Sequence, residues 1–353
     1  MLRIILFLAL LTASGGALAA SQKGERLLGL DANPSETGDV AAALSQAQRA
    51  GVDFVEVSLY WDEIEASPGR FSQRRLREIA PMLRMRNLGA ALTLAVIDGP
   101  ADRRPHDLRG KTLDDPLVTR RYAAALARVL REMDDVRLIA LSPGHDIDLF
   151  LKNAADWQAF ETLFSSFAQE ARQLRPDAPI GAKATFAGAT SEARAEIARV
   201  NALSDVILVS YAQGLAPGSL LTADAASDFA LLSGLAPLKP IHVLDASFPS
   251  ALGAGGSEGA QARFVKALFL AFDQQQGRIR ALQFSSLTDL SPTAAGDLAS
   301  YLGRHDEGLA AYFSSMGFRR FSGLGKDKLA MRWLINEALT RGWVPPNPEG
   351  LKR

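Results

Sequence analysis

The sequence predicts an α/β fold, a single-domain (β/α)8 TIM barrel, from three observations. Eight short apolar or β-branched runs recur along the chain, and amphipathic helical stretches separate them. Eight such units over about 310 residues is the count and length of that barrel. No Pro/Gly/Ser-rich linker divides the 353 residues into smaller units.

The runs come in order as "LLGLD" from Leu27, "VDFVEVSLY" from Val52, "GAALTLAVID" from Gly89 and "VRLIALS" from Val136. They continue as "PIGAKATF" from Pro179, "SDVILVSY" from Ser204, "KPIHVLDAS" from Lys239 and "IRALQFSSL" from Ile279. Between them lie helical patterns such as "DVAAALSQAQRAG" and "SEGAQARFVKALFLAFDQQQG", several closing on Gly as helix C-termini do. A doubly wound sheet uses the same alternation. Its nucleotide-binding form loses support because the first strand-to-helix turn, "GLDANPSETG", has neither GxGxxG nor a P-loop.

The opening "MLRIILFLALLTASGGALAA" has a basic start at Arg3, an apolar stretch too short to span a bilayer and an A-x-A pattern at Ala17 to Ala19. It predicts a signal peptide over residues 1–19, an uncleaved anchor being the alternative. The barrel is then expected over 20–342, closed by the helix "KDKLAMRWLINEAL", with 343–353 a C-terminal tail. No later run is apolar enough to cross a membrane. Export with no cysteine predicts a periplasmic or secreted protein without disulfides, thiol chemistry or cysteine metal sites. Lys plus Arg and Asp plus Glu both count 39, and losing Arg3 leaves 38 against 39, so nothing attracts nucleic acid. Oligomeric state is not legible.

Function in such barrels sits at the C-terminal ends of the strands. Those ends are acidic and aromatic here: Asp31 and Asn33 after the first run, Tyr60, Trp61, Asp62 and Glu63 after the second, Asp98 after the third. The fourth delivers His145, Asp146 and Asp148, the sixth Tyr211, the seventh Asp245 and Phe248, and the eighth Asp289. Carboxylates that accept from hydroxyls, with aromatic faces that stack on a pyranose, are sugar-binding chemistry. Trp61 is the expected stacking platform. Structural roles are open to the same residues: helix caps for Asp146 and Asp148, an Asx-turn for Asp245, packing for Tyr60, Trp61, Tyr211, Phe248 and His145. His242 is three residues before Asp245, so alternation places it outward if Asp245 faces the barrel interior. A metal set of His145, Asp146, Asp148 and Asp245 lacks HxH or HExxH spacing, so neither a metal nor a cofactor is called for.

Several segments then resemble one family in order. "SLYWDEIEASPGRF" resembles the second-strand signature of clan A retaining glycosidases, and "LSPGHDIDLFL" resembles the "GNExDxYL" at the end of their fourth strand. "SDVILVSYAQGLAPGS" is similar to their sixth strand, and "KPIHVLDASFPSALGAGGSEGAQARFV" to their seventh strand and next helix start. The resemblance spans about Gly29 to Asp289 and implies a glycoside hydrolase-like barrel. It places the acid/base at Asp146, beside His145, and the nucleophile at Asp245, both glutamates in the family and both one methylene shorter here. Two functions follow: an exported barrel that binds an oligo- or polysaccharide with degenerate catalysis, or an active glycosidase using Asp146 and Asp245. Two retracted carboxylates widen the retaining gap of about 5 to 5.5 Å toward the inverting range of about 6.5 to 9.5 Å. Any hydrolysis is therefore expected to invert, with Asp146 as acid and Asp245 activating water.

Overall fold

The computed structural model describes residues 20–72, 74–191, 193–215, 224–235, 238–304 and 306–344. The expected leader at 1–19, His305 and residues 345–353 of the expected tail lie outside them. All eight expected strands form: β1 (Leu27–Leu30), β2 (Phe54–Tyr60), β3 (Gly89–Asp98), β4 (Leu138–His145), β5 (Lys183–Thr185), β6 (Ile207–Ala212), β7 (Ile241–Ser247) and β8 (Ile279–Phe284).

Strand pairing runs β3-β2-β1-β8-β7-β6-β5, with β4 on the other side of β3, and every one of these pairs is parallel. The ring closes between β4 and β5. There Leu141 N–H donates to the Pro179 carbonyl at 2.8 Å and Gly181 N–H to the Leu141 carbonyl at 3.1 Å, around a Leu141–Ile180 bridge. Among the described residues no helix is long and apolar enough to cross a membrane.

Alternation divides the apolar strand residues between two cores. Val55, Val57, Leu59, Leu92, Leu94 and Val209 face the helices and join the large outer core. Leu27, Phe54, Ala91, Ile139, Leu208, Leu244 and Ala281 meet across the barrel axis in a separate cluster. This inner cluster needs two glycines for close approach. A Cβ at Gly29 would stand 2.6 Å from the Phe54 ring, and one at Gly181 would stand 2.5 Å from the Val206 carbonyl oxygen. The helices start where capping residues allow. Asp39 accepts from Ala42 N–H, and Asp115 precedes Pro116 and accepts from Leu117 N–H. The closing helix spans Leu329–Thr340. Packing continues past 342, because Trp343 stacks on Phe272 and meets Phe269 edge-on, and Val344 is buried beside it. The two residues therefore belong to the outer core and not to a tail.

Above the inner apolar cluster the barrel interior turns polar. Inward-facing positions carry Glu56 on β2, Lys183 on β5, Ser210 on β6 and Gln283 on β8, the positions that follow Phe54, Gly181, Leu208 and Ala281 by two residues. This layer is the floor of the site.

Candidate functional site

The centre of the site is an ion-paired cluster that two left-handed residues turn inward. Leu244 belongs to the inner cluster, so alternation alone would point Asp245 toward the helices. Asp245 instead has φ +50°, a backbone that Asp tolerates better than most side chains, and β7 breaks register with both neighbours there. Its carboxylate comes back over the barrel. The same break corrects the expected orientation of His242, which pairs in register with Leu208 and Ala281 and shares their inward face. Burial lowers the His242 imidazole from 6.5 to about 4, so it is neutral. Asp146 has φ +48° and makes no helix cap of its own; Ser210 Oγ donates to its Oδ1 at 2.5 Å.

Asp245 is saturated with donors. Lys183 Nζ lies 2.7 Å from Oδ2, His145 Nε2 3.0 Å from the same oxygen, and Ser285 Oγ donates to Oδ1 at 2.9 Å. Lys183, whose side chain is 1% exposed, also bonds Glu56 Oε1 at 2.5 Å. The His145 ring reaches the other way as well, its Nδ1 standing 3.5 Å from Asp146 and 3.8 Å from Asp98. One imidazole therefore lies between the two carboxylates that the sequence singles out as a reacting pair. Glu56, His145 and Asp245 place ligand atoms within 4.8 Å of one another. The Lys183 ammonium already bridges two of them, so the cation of this cluster is a side chain.

The charges follow from this arrangement. Burial lifts the Asp245 carboxyl, but Lys183 and His145 outweigh it and hold the group far below the usual carboxylate range. Burial also opposes the Lys183 charge, and Asp245 and Glu56 keep it above the ordinary lysine range. Burial and Lys183 push His145 down, yet Asp146 and Asp245 raise it from 6.5 to about 9. Burial first, then Glu56 and Asp245, raises Asp31 from 3.8 to about 7, and Asp146 is raised mainly by burial with Asp148 adding to it.

These shifts predict a pH profile. The stabilisation from His145 is complete below 6.5 and lost as pH rises through about 9. Asp31 acts in the same sense, its contribution being complete below 3.8 and lost through about 7. Asp245 acts oppositely and loses its contribution on acidification below 3.8. Since His145 is a quarter exposed, its part is on the order of 2 kcal/mol after screening. The melting temperature should fall between pH 6.5 and 9, and His145→Gln should flatten that fall. Parallel profiles for the two proteins would refute the assignment.

The other expected site residues divide sharply. Asp98 stays at the mouth, where Tyr301 OH donates to it at 2.7 Å. The Tyr60 ring is covered by the Arg103 guanidinium at 3.8 Å, and Arg103 also pairs Asp62 at 3.0 Å and exposed Glu63 at 3.2 Å. Asp148 ties β4 to β5 through Thr185 N–H and Oγ1 at 2.8 and 2.6 Å, which occupies both of its oxygens. Asn33 and Asp289 are also structural, held by Thr288 and Lys328. Three aromatic expectations need correction. Trp61 is wholly buried, edge-on to Tyr122 with its Nε1–H on Glu65 at 3.0 Å, so no face is open to a sugar. Tyr211 is stacked on Phe264 and bonded to Asp228, and Phe248 packs on Phe264, so both lie in the outer core.

Glu56 and Lys183 were not expected at all. Their signal was a charged residue inside an apolar strand, in "VDFVEVSLY" and "PIGAKATF", on the face that carries Phe54 and Gly181. Two surface grooves of about 150 and 340 Å³ lie elsewhere, in the helix layer around Ile197 and around Trp333.

Fold and site define a single-domain (β/α)8 barrel with an ion-paired acidic mouth. It is similar to a GH5_18 chain from Bifidobacterium longum subsp. longum in complex with Manb1-4GlcNAc, at 12% identity and a TM-score of 0.71, over 92% of this chain and 80% of that one. A GH5_18 from Streptomyces cattleya in complex with GlcNAc matches at 15% identity and 0.69, over 94% and 82%. An exo-beta-1,4-mannosidase from an Opitutaceae bacterium matches at 13% and 0.68, over 90% and 60%. No protein-family model matches the sequence, and no curated protein does. At these identities the likeness is one of fold.

Proposed function

We propose that this chain is an exported barrel that binds an oligo- or polysaccharide at its mouth and has given up retaining hydrolysis. The observation that carries the reading is the state of Asp245. A nucleophile or general base needs a free lone pair aimed at sugar or water and a proton affinity suited to its task. Asp245 has Lys183, His145 and Ser285 on its two oxygens, and its low proton affinity makes it a weak base. The His145 ring stands where a direct attack or an activated water would have to fit. Carbohydrate as the ligand is supported by the carboxylate and tyrosine hydroxyl groups at the rim, and by the sugars held in barrels of the same fold. Export is supported by the leader-like first 19 residues.

The second reading, an active glycosidase, draws on the raised Asp146 carboxyl, which suits a general acid. Calorimetry against a glycan panel that includes β-1,4-linked mannose and N-acetylglucosamine oligomers separates the two, run beside aryl glycosides followed by NMR. Heat of binding without turnover is the expected outcome. Turnover above the buffer rate would overturn the binding-only reading, the product anomer then reporting inversion or retention. No heat across the panel would sink carbohydrate binding.

A further inference from the structure

We propose that the mouth takes a sugar bearing a free amine, a 2-amino-2-deoxy sugar without its acetyl group, the ammonium lodging beside Asp31 and Asp98. This rests on the sugar-binding reading and narrows it to a charge class. The geometry leaves negative charge unmatched. Lys183 is spent on Glu56 and Asp245. His145 is spent on Asp245 and is the nearest cation to Asp146 and Asp98, at 3.5 and 3.8 Å. Arg103 is turned to Asp62 and Glu63. Asp31, partly open at the end of β1, accepts no hydrogen bond among the described residues, and Arg75 and Lys183 reach it only as through-space charges.

A second observation points the same way. Glu56, whose side chain is 8% exposed, keeps its Oε2 buried without a partner. Behind it Gln283, fully buried on the inward face over Gly29, has neither amide atom bonded. Gln283 brings an unbonded donor along with its unbonded acceptor, so the acceptor left over at the floor is Glu56 Oε2. A neutral hydroxyl supplies one donor and no charge, whereas an ammonium supplies three donors and the missing positive charge. Burial is the first cause of the raised Asp31 carboxyl and of the raised Tyr60 and Tyr301 hydroxyls, and the negative charges of Glu56 and Asp245 on the first and of Asp98 on the other two add to it. A bound cation would therefore expel protons from the site.

The test is titration calorimetry of the whole chain with a β-1,4-linked glucosamine tetramer and with its fully N-acetylated counterpart, in buffers of different ionisation enthalpy, at low and high salt. The amine form should bind about tenfold tighter or more at low salt, with proton release. Asp31→Asn, and Asp98→Asn where the first variant melts early, should erase the preference. Equal or tighter binding of the acetylated tetramer overturns the inference and leaves sugar binding standing. A preference that survives both variants overturns the placement, and heat from neither tetramer counts against both readings.

Discussion

Replacing Lys183 with methionine is expected to cost about 3–5 kcal/mol of folding stability, the usual consequence of removing one partner of a buried ion pair. Lys183 is 1% exposed and its ammonium bonds Glu56 Oε1 at 2.5 Å and Asp245 Oδ2 at 2.7 Å. Methionine fills a similar volume, so packing changes little and the loss reports charge. Glu56 would then keep Ser58 Oγ, which donates to Oε1 at 3.0 Å, as its one neutral donor, since its Oε2 has none even now. Asp245 would retain His145 and Ser285. The uncompensated charge therefore falls mainly on Glu56, and Lys183→Met combined with Glu56→Leu should recover most of the loss. Urea denaturation of the two single variants and the double variant measures this as a coupling energy. A single-variant loss below about 1 kcal/mol, or strict additivity, would show that the pair is not the clamp described.

Trp61→Ala is expected to cost about 3–5 kcal/mol as well, through a cavity and not through a lost sugar contact. The ring is fully buried, meets Tyr122 with centroids 5.1 Å apart and donates to Glu65 at 3.0 Å. Glu65 is itself buried and holds the hairpin after β2 by accepting from Gly69 N–H at 2.8 Å, with Arg121 beside it at 3.1 Å. Trp61→Phe should keep most of the packing and lose only the donor, at about 1 kcal/mol. The decisive comparison is between stability and affinity across the two variants. If glycan affinity falls while the melting temperature of Trp61→Phe stays put, the ring faces a ligand and its placement in the core is wrong.

The five carboxylate and imidazole groups that converge, Asp31, Asp98, His145, Asp146 and Asp245, were all legible as strand ends, because in a parallel barrel every strand delivers its last residues to one face. Trp61, Tyr211 and Phe248 are strand ends too, yet they pack away from the mouth. A position just past a strand says which end of the barrel a residue occupies and leaves open which way its side chain turns. Glu56 and Lys183 show the converse: both were visible only as interruptions in apolar strands, and a lone charge in a strand reads as an outward residue until the ring closes around it.

What the sequence determined by itself was the periodicity: eight strands and their order along the chain, since alternation of apolar runs with amphipathic helices is a local property of the chain. The tertiary structure alone decided the chemistry of the mouth. Lys183 stands 127 residues from Glu56 and 62 from Asp245, and only closure of the barrel puts its charge between theirs. The inward turn of Asp245 likewise depends on a left-handed backbone at one residue. No local pattern announces that conformation, because Asp adopts it only where the surrounding ion pairs repay the strain.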